Sequence, residues 1–421
     1  MATIVLTTVG TTGDLLPYLA LGEGLSARGH RVRIVSHAFH EERVRARGLE
    51  FVAEGAQFNV ESFNRVLDEV RKIKEPLQQF ELLLNRLFLT SAERRYEVHL
   101  SASKDADLVV NHGFDLLGQE AAIKNRRLWA SVTLLPHLIP TDEAPVYPLP
   151  RLGLWWTKMT WKTLYDLSQG INRRTSLVLS SLGAAPRSLG VAGAVSPYLH
   201  LVAASPSLVH SRGDWPSQVQ LTGAFMERPR PYQPSPELAS FLAEHPRPVV
   251  VTFGSMGGND NQATNELVQV ALRMVGRPAI VQAGYTGLVA QSGPGDPPIL
   301  SVGYVPHDFL FAQAGCVVHH AGAGTSTAAT WAKVPSVAVP HLFDQYYWAG
   351  MLHERGLSPK PIFRSELNAS RLAKAIRAVD APKYQQAAER IGEQIRAEDG
   401  VGRAVQLLEA QLTVGALANP R

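Results

Sequence analysis

The chain has 421 residues, 45% of them apolar and 19% charged, with 34 glycines and 28 prolines. It can therefore bury substantial cores, and disorder or a collagen-like repeat is excluded. At about 100–200 residues per domain, the length predicts two domains, or three. The net charge of +4 is spread along the chain without a dense Lys/Arg block, which argues against nucleic acid as a partner. The single cysteine, Cys316, excludes an internal disulfide framework or a cysteine-based zinc cluster and fits a reducing compartment.

The N-terminal stretch has no basic n-region, and threonines interrupt its apolar run, so a strand is expected there rather than a signal peptide. TIVLTTVG instead predicts a strand entering a glycine loop, followed by an amphipathic helix that stops at Gly29 and by a second strand, RVRIVSH. In that loop Asp14 is a candidate general base, since a carboxylate at the C-terminal end of the first strand lies where open α/β sheets place ligands. The competing structural role for Asp14 is a helix N-cap. Further on, LVVNHGFD places Asn111 and His112 at another strand end, with His112 a candidate second catalytic residue. DAD, at Asp105–Asp107, imitates a metal-binding motif but precedes its strand, away from the ligand edge.

The segment from Arg151 carries Trp155, Trp156, Trp161 and Tyr165. It suits a helix whose aromatic ridge walls an apolar ligand; ordinary core packing and a peripheral contact with a membrane surface are the rival readings. A proline-rich connector follows, placed at residues 216–236 between a domain at 1–215 and one at 237–398. The second domain opens with the same grammar as the first: RPVVVTFGS, a glycine loop, a helix and PAIVQAG. Two such openings predict an α/β protein of two doubly wound parallel sheets in tandem. The tail at 399–421 holds a terminal amphipathic helix able to return to the first domain. No stretch approaches about 18 uninterrupted apolar residues, so no transmembrane segment is expected and the protein is expected to be soluble and cytoplasmic.

The densest chemistry starts at Val302. CVVHH predicts a strand ending at His320, then a glycine turn at Gly322 and Gly324, then Thr325 opening a helix. A helix N-terminus exposes unpaired N–H groups and about half a positive charge, and glycines let a ligand approach the backbone, so the turn suits a phosphate or diphosphate. Close packing around a buried histidine is the structural alternative. A dinucleotide fingerprint is the chemical one, because Asp344 follows at a suitable distance. Against that, Thr327 stands where a third glycine belongs. HEERV and HERGL lack the second histidine of a zinc protease, Phe253 stands where a serine elbow leading to Ser255 needs glycine, and there is no P-loop.

Taken together, GTTGDLLPYLALGEGLSARGH, the TFGS strand end, VPHDFLF, VVHHAGAGT and VPSVAVPHLFDQYYWA resemble the GT-B glycosyltransferases of the UDP-glycosyltransferase superfamily. The likeness is to the bacterial branch acting on antibiotics, macrolides, sterols and lipids. It implies a GT-B fold in which two Rossmann-like domains face a cleft, the N-terminal one binding an apolar small-molecule acceptor and the C-terminal one a nucleotide-sugar donor. By position, His320, Gly322, Gly324 and Thr325 resemble the diphosphate-binding turn, with Ser255 opposite and Gly13 in the N-terminal loop. Tyr304 stands where the family stacks an aromatic on the base, and the Val305 backbone reads the base edge. Asp344 and Gln345 resemble the pair that bonds the donor sugar's hydroxyls, and Asp14 resembles the base.

Ala321 departs from a common glycine, and Ala328 stands where plant members carry a ribose-binding Glu. A UDP-sugar and a dTDP-sugar are therefore both admitted as donors. The resemblance further implies inverting transfer without a metal or other cofactor. A nucleotide-sugar epimerase and a non-catalytic nucleotide-sugar or lipid binder are the alternatives, and the sequence does not separate monomer from homodimer.

Overall fold

A computed structural model of the chain describes residues 1–56, 58–73, 75–184, 195–253, 261–283, 292–293 and 295–418. It divides into two compact units, one of Met1–Val66, Ile73–Glu227 and Asp399–Arg421, the other of Leu67–Lys72 and Arg228–Glu398.

The first unit runs β1 (Thr3–Thr7), α1 (Thr12–Ala27), β2 (Arg31–Ser36), α2 (Glu41–Arg45), β3 (Glu50–Ala53), the start of α3 (Val60–Lys72, whose residues from Leu67 on fall in the second unit), α4 (Pro76–Leu83), α5 (Ala92–Ser103), β4 (Leu108–His112), α6 (Leu116–Lys124), β5 (Leu128–Thr133), α7 (Leu154–Ser181), β6 (His200–Val202) and β7 (Val219–Leu221). Its seven strands lie in the order β3-β2-β1-β4-β5-β6-β7, every neighbouring pair parallel. Such a sheet must be covered on both faces, which is why β4 is a run of five residues buried throughout. Beneath it Val5, Val35, Val109 and Trp129 pack with Ala102 and Ala122. Residues 219–221, within the stretch expected to be a connector, form the edge strand β7 instead.

The second unit runs α8 (Pro236–Glu244), β8 (Val249–Thr252), α9 (Asn261–Val275), β9 (Ala279–Gln282), β10 (Ile299–Val302), α10 (His307–Ala312), β11 (Cys316–His319), α11 (Ala323–Trp331), β12 (Ser336–Ala338), α12 (Phe343–Glu354), α13 (Ala369–Ala378) and α14 (Pro382–Ala397). Its five parallel strands follow the order β10-β9-β8-β11-β12. Both sheets thus reverse direction beside their first strand, and the crevice at the strands' carboxyl ends there is where doubly wound folds bind ligands.

The terminal helix α15 (Gly400–Ala418) belongs to the first unit and packs on α1. Gly24 makes the close approach: a Cβ there would lie 2.5 Å from Val401 Cγ1. Asp399 receives the Gly402 N–H at 2.9 Å, and Glu409 pairs with Arg28 at 3.1 Å and His30 at 3.2 Å. Among the described residues no helix is long and apolar enough to cross a membrane.

Candidate functional site

In the first unit the reversal falls between β1 and β4, whose register pairs Thr7 with Asn111. That pairing brings the loop after β1 beside the end of β4. Thr7 Oγ1 donates to Asn111 Oδ1 at 2.9 Å, so Asn111 is tied to the sheet. His112, one residue on, lies with Nε2 3.9 Å from Asp14 Oδ1. The structure therefore brings together the two residues proposed as catalytic.

Asp14 is not the N-cap of α1. Thr11 is, receiving the Gly13 N–H on Oγ1 at 3.1 Å, and Asp14 reaches back from the helix's first turn. Its Oδ2 accepts from Thr11 N at 2.8 Å and from Thr11 Oγ1 at 3.1 Å. This capping exchange satisfies two groups at the helix start and leaves Oδ1 as the oxygen turned toward His112. The side chain keeps 31% of its surface exposed, so an incoming hydroxyl can reach it. Gly13 is thus part of the cap that holds Asp14.

His112 Nδ1 accepts the Phe114 N–H at 3.2 Å, which leaves the proton of the neutral ring on Nε2, facing Asp14. Burial pushes the His112 imidazole below its ordinary value, against the pull of the Asp14 and Asp115 carboxylates. Tyr18, 6.2 Å from the His112 ring, has its phenol raised well above the usual value by burial and by Asp115 and Asp14. Asp105 and Asp107 sit at the far end of the strands, on Arg33 (2.9 Å) and Thr3 N (2.9 Å), away from this group.

The three tryptophans do not form one wall. Successive helical residues turn about 100°, so positions 155, 156 and 161 on α7 point three ways. Trp155 is 75% exposed, Trp156 is half-buried, and Trp161 is half-buried with Nε1 donating to Ala144 O at 2.9 Å.

In the second unit the reversal falls between β8 and β11, with His319 paired to Thr252. His320 follows β11 and is 9% exposed. Gly322 caps α11, and a Cβ on it would lie 2.6 Å from His320 Nε2, so only glycine lets the ring sit over the helix entrance. Ala321 adopts φ 60, the left-handed region that favours glycine. Its amide donates to His319 Nδ1 at 3.1 Å, and burial holds the His319 imidazole down to about 3.

The first intrahelical bond of α11 runs from Ser326 N to Gly322 O at 2.9 Å, so the amides of residues 323–325 precede the ladder. A Cβ on Gly324 would meet nothing within 4 Å, and Thr325 flanks it, 8% exposed. Ser255 lies outside the described residues.

Tyr304 is 59% exposed while Val305 is 3% exposed. Gln282, which no motif singles out, donates from Nε2 to Val305 O at 2.9 Å and fixes that backbone. Gln345 Oε1 accepts from His341 N at 2.8 Å and Leu342 N at 3.1 Å, so it bridges the turn into α12 as well as standing beside Asp344.

A family model described as the glycosyltransferase family 28 N-terminal domain matches residues 4–106, and one described as the erythromycin biosynthesis protein CIII-like C-terminal domain matches residues 292–410. The chain is 30% identical to the O-mycaminosyltylonolide 6-deoxyallosyltransferase of Streptomyces fradiae over 430 residues, 96% of each chain. Against the sterol 3-beta-glucosyltransferase UGT80B1 of Arabidopsis thaliana it is 27% identical over 431 residues, 97% of this chain and 68% of that one. It spans 64% of a second plant relative, the sterol 3-beta-glucosyltransferase UGT80A2.

Among solved structures, the glycosyltransferase of kitacinnamycin superposes with a TM-score of 0.74 at 19% identity, over 97% of this chain and 99% of that one. The glycosyltransferase VinC, solved in complex with dTDP, gives 0.65 at 19% identity over 98% and 100%. The fold is GT-B, and the family match spans the chain at both ends. The chain belongs to the GT-B glycosyltransferases of the UDP-glycosyltransferase superfamily, the family that includes the macrolide and sterol sugar transferases, and it is a sugar-transferring enzyme.

Proposed function

We propose that the enzyme transfers a hexose or deoxyhexose from a UDP- or dTDP-sugar to a hydroxyl of a small apolar acceptor, with inversion at the anomeric carbon. The observation that carries this reading is the placement of Asp14 Oδ1 near His112 Nε2 (3.9 Å) at the reversal point of the first sheet, with one carboxylate oxygen held and the other presented. An acceptor alcohol is too weak an acid to ionise unaided, so its proton passes to Asp14 Oδ1 as its oxygen attacks the anomeric carbon. The bond from that carbon to the diphosphate breaks, and the sugar's configuration inverts. The Nε2–H of His112 supports the carboxylate before transfer and orients the hydroxyl.

Charge building on the departing diphosphate falls on the amides at the start of α11, on Thr325 and on His320, a preorganised set that acts in place of a cation. The reading therefore calls for no metal. Asp344 and the amide of Gln345 bond the sugar hydroxyls, Tyr304 stacks on the base and the Val305 backbone reads its edge. Ala328, 8% exposed, offers no carboxylate to a ribose 2′- or 3′-hydroxyl, which admits a dTDP-sugar beside a UDP-sugar. The dTDP bound in VinC supports that breadth. The macrolide and sterol relatives support an apolar, hydroxylated acceptor, with Trp155 and Trp156 contributing apolar surface rather than all three tryptophans together.

The test is Asp14→Asn, incubated with a panel of UDP- and dTDP-sugars and sterol and macrolide acceptors, with products read by mass spectrometry. Turnover is expected to fall by about 100-fold or more, in line with the loss of a positioned base, with nucleotide affinity unchanged. Turnover within a few-fold of the unaltered enzyme refutes the assignment of the base.

A further inference from the structure

Behind the Asp14 loop lies a buried file of ionisable groups that the transfer step does not itself use. Arg95, on α5, is 0% exposed and donates from Nη1 to the carbonyls of Leu87 and Phe88 and from Nη2 to Glu54 Oε2 at 2.7 Å. Glu54, at the end of β3, is 1% exposed, and its other oxygen abuts Nδ1 of His37, at the end of β2 and 0% exposed. His37 Nε2 in turn receives the N–H of Gly10 at 3.3 Å, in the loop after β1. Three adjacent strand ends and one helix thus feed a single contact onto the loop that carries the acid.

The direction of that contact fixes a tautomer. A ring nitrogen that accepts an amide proton carries none of its own, so the His37 proton sits on Nδ1, against the Glu54 carboxylate. The ring is packed on Phe39 at 5.2 Å, Phe63 at 5.3 Å and Phe58 at 5.7 Å between centroids, which blocks any swing away from Gly10. His40 approaches the same glycine from its carbonyl side, with Nε2 3.4 Å from Gly10 O. Gly10 in turn sets where Asp14 can lie: a Cβ on it would stand 2.4 Å from Asp14 Oδ2. The carboxylate therefore rests directly over the glycine that the two histidines grip.

We propose that Glu54 and His37 are positioning residues for sugar transfer, Glu54 holding His37 in the Nδ1–H tautomer so that its bare Nε2 seats Gly10 beneath the Asp14 carboxylate. This rests on Asp14 being the base. Metal-binding enzymes orient ligating imidazoles with a carboxylate in the same way; here the oriented atom grips a backbone amide instead. A displacement of the base by about 1 Å costs about 100-fold in rate, so the clamp acts on turnover while leaving the nucleotide site in the second unit untouched.

The deciding variant is Glu54→Gln, which keeps the side chain's shape. Arg95 must face the amide oxygen, so the amide NH2 faces His37 Nδ1, the proton moves to Nε2, and two donors then oppose each other at Gly10. Three readouts apply: the His37 ring nitrogens by NMR, UDP affinity by calorimetry, and release of nucleotide from UDP-glucose and dTDP-glucose. The expected result is an Nδ1–H ring in the unaltered enzyme, an Nε2–H ring in the variant, unchanged UDP affinity, and nucleotide release slowed by about 10- to 100-fold. An Nε2–H ring in the unaltered enzyme overturns the proposal without any variant needing to fold. Unchanged release despite a flipped ring, or slowed release without one, overturns it equally. Retained turnover in Asp14→Asn would instead remove the base assignment, a failure that these ring measurements distinguish from their own.

Discussion

Gly10 carries a constraint out of proportion to its size. Its φ of +117 lies in a region that L-residues rarely enter, and the space where a Cβ would go is filled by Asp14 Oδ2 at 2.4 Å and Cγ at 2.8 Å. Gly10→Ala therefore meets both a backbone cost of about 1–3 kcal/mol and a direct displacement of the carboxylate. The enzyme is expected to lose about 100-fold in turnover while UDP binds with unchanged affinity, a split measured by steady-state kinetics beside calorimetry. A variant with normal turnover would show that the carboxylate does not need its seat. At Ala321, by contrast, the left-handed φ of 60 is tolerated by a small residue whose amide is held by His319. The departure from glycine seen in the sequence leaves the turn into α11 formed.

At the scale of elements, what the sequence displays is what is local. Strand, glycine loop and helix succeed one another within a few residues, so both doubly wound openings and the turn at His320, Gly322 and Gly324 are readable from spacing. The clamp on Gly10 is not, because its bonds span 27 residues from His37 to Gly10 and 41 from Glu54 to Arg95, and no periodicity links them. Strand β7 escapes notice for another reason: three residues at a sheet edge carry too little pattern against the prolines that follow. The tryptophans of α7 cluster in sequence but diverge in space, since adjacency along a helix is not adjacency on its face. Helix α15 shows the same limit from the other side. Its amphipathic pattern is legible, but its partner α1 is recognisable only once Gly24 is seen against Val401. Gly24→Val adds bulk at a contact that has no room for one methyl, and overpacking of this kind costs about 1–3 kcal/mol. Thermal denaturation should show a Tm lower by several degrees, with UDP affinity retained because the residues proposed to hold the nucleotide lie in the second unit. An unchanged Tm would mean that α15 yields to the added bulk.

The whole molecule carries an acid sensitivity distributed over both units. Burial pushes His40, His200 and His307 down to about 4, and it pushes His137 and His319 down to about 3. Each stays neutral in the folded chain at a pH where the unfolded chain, with ordinary histidines near 6.5, takes up a proton. The unfolded state then binds more protons, so stability falls as pH falls below about 6.5 and levels off only as the folded values near 4 and 3 are reached. At pH 5 a histidine held neutral in this way costs about 2 kcal/mol, from about 1.5 pH units at 1.36 kcal/mol each. Five such groups acting even partly independently are comparable with a net stability of about 5–15 kcal/mol. Glu54 acts in the same direction in a lower window. Burial alone would raise it, but Arg95 and then His37 hold it at about 2, so the stability it adds is lost only below about 4.5. Tm followed from pH 7.5 to 4.5 should therefore decline steeply from about pH 6.5, before ordinary carboxylates titrate. A Tm that holds level down to pH 5 would mean that these imidazoles gain their protons without unfolding.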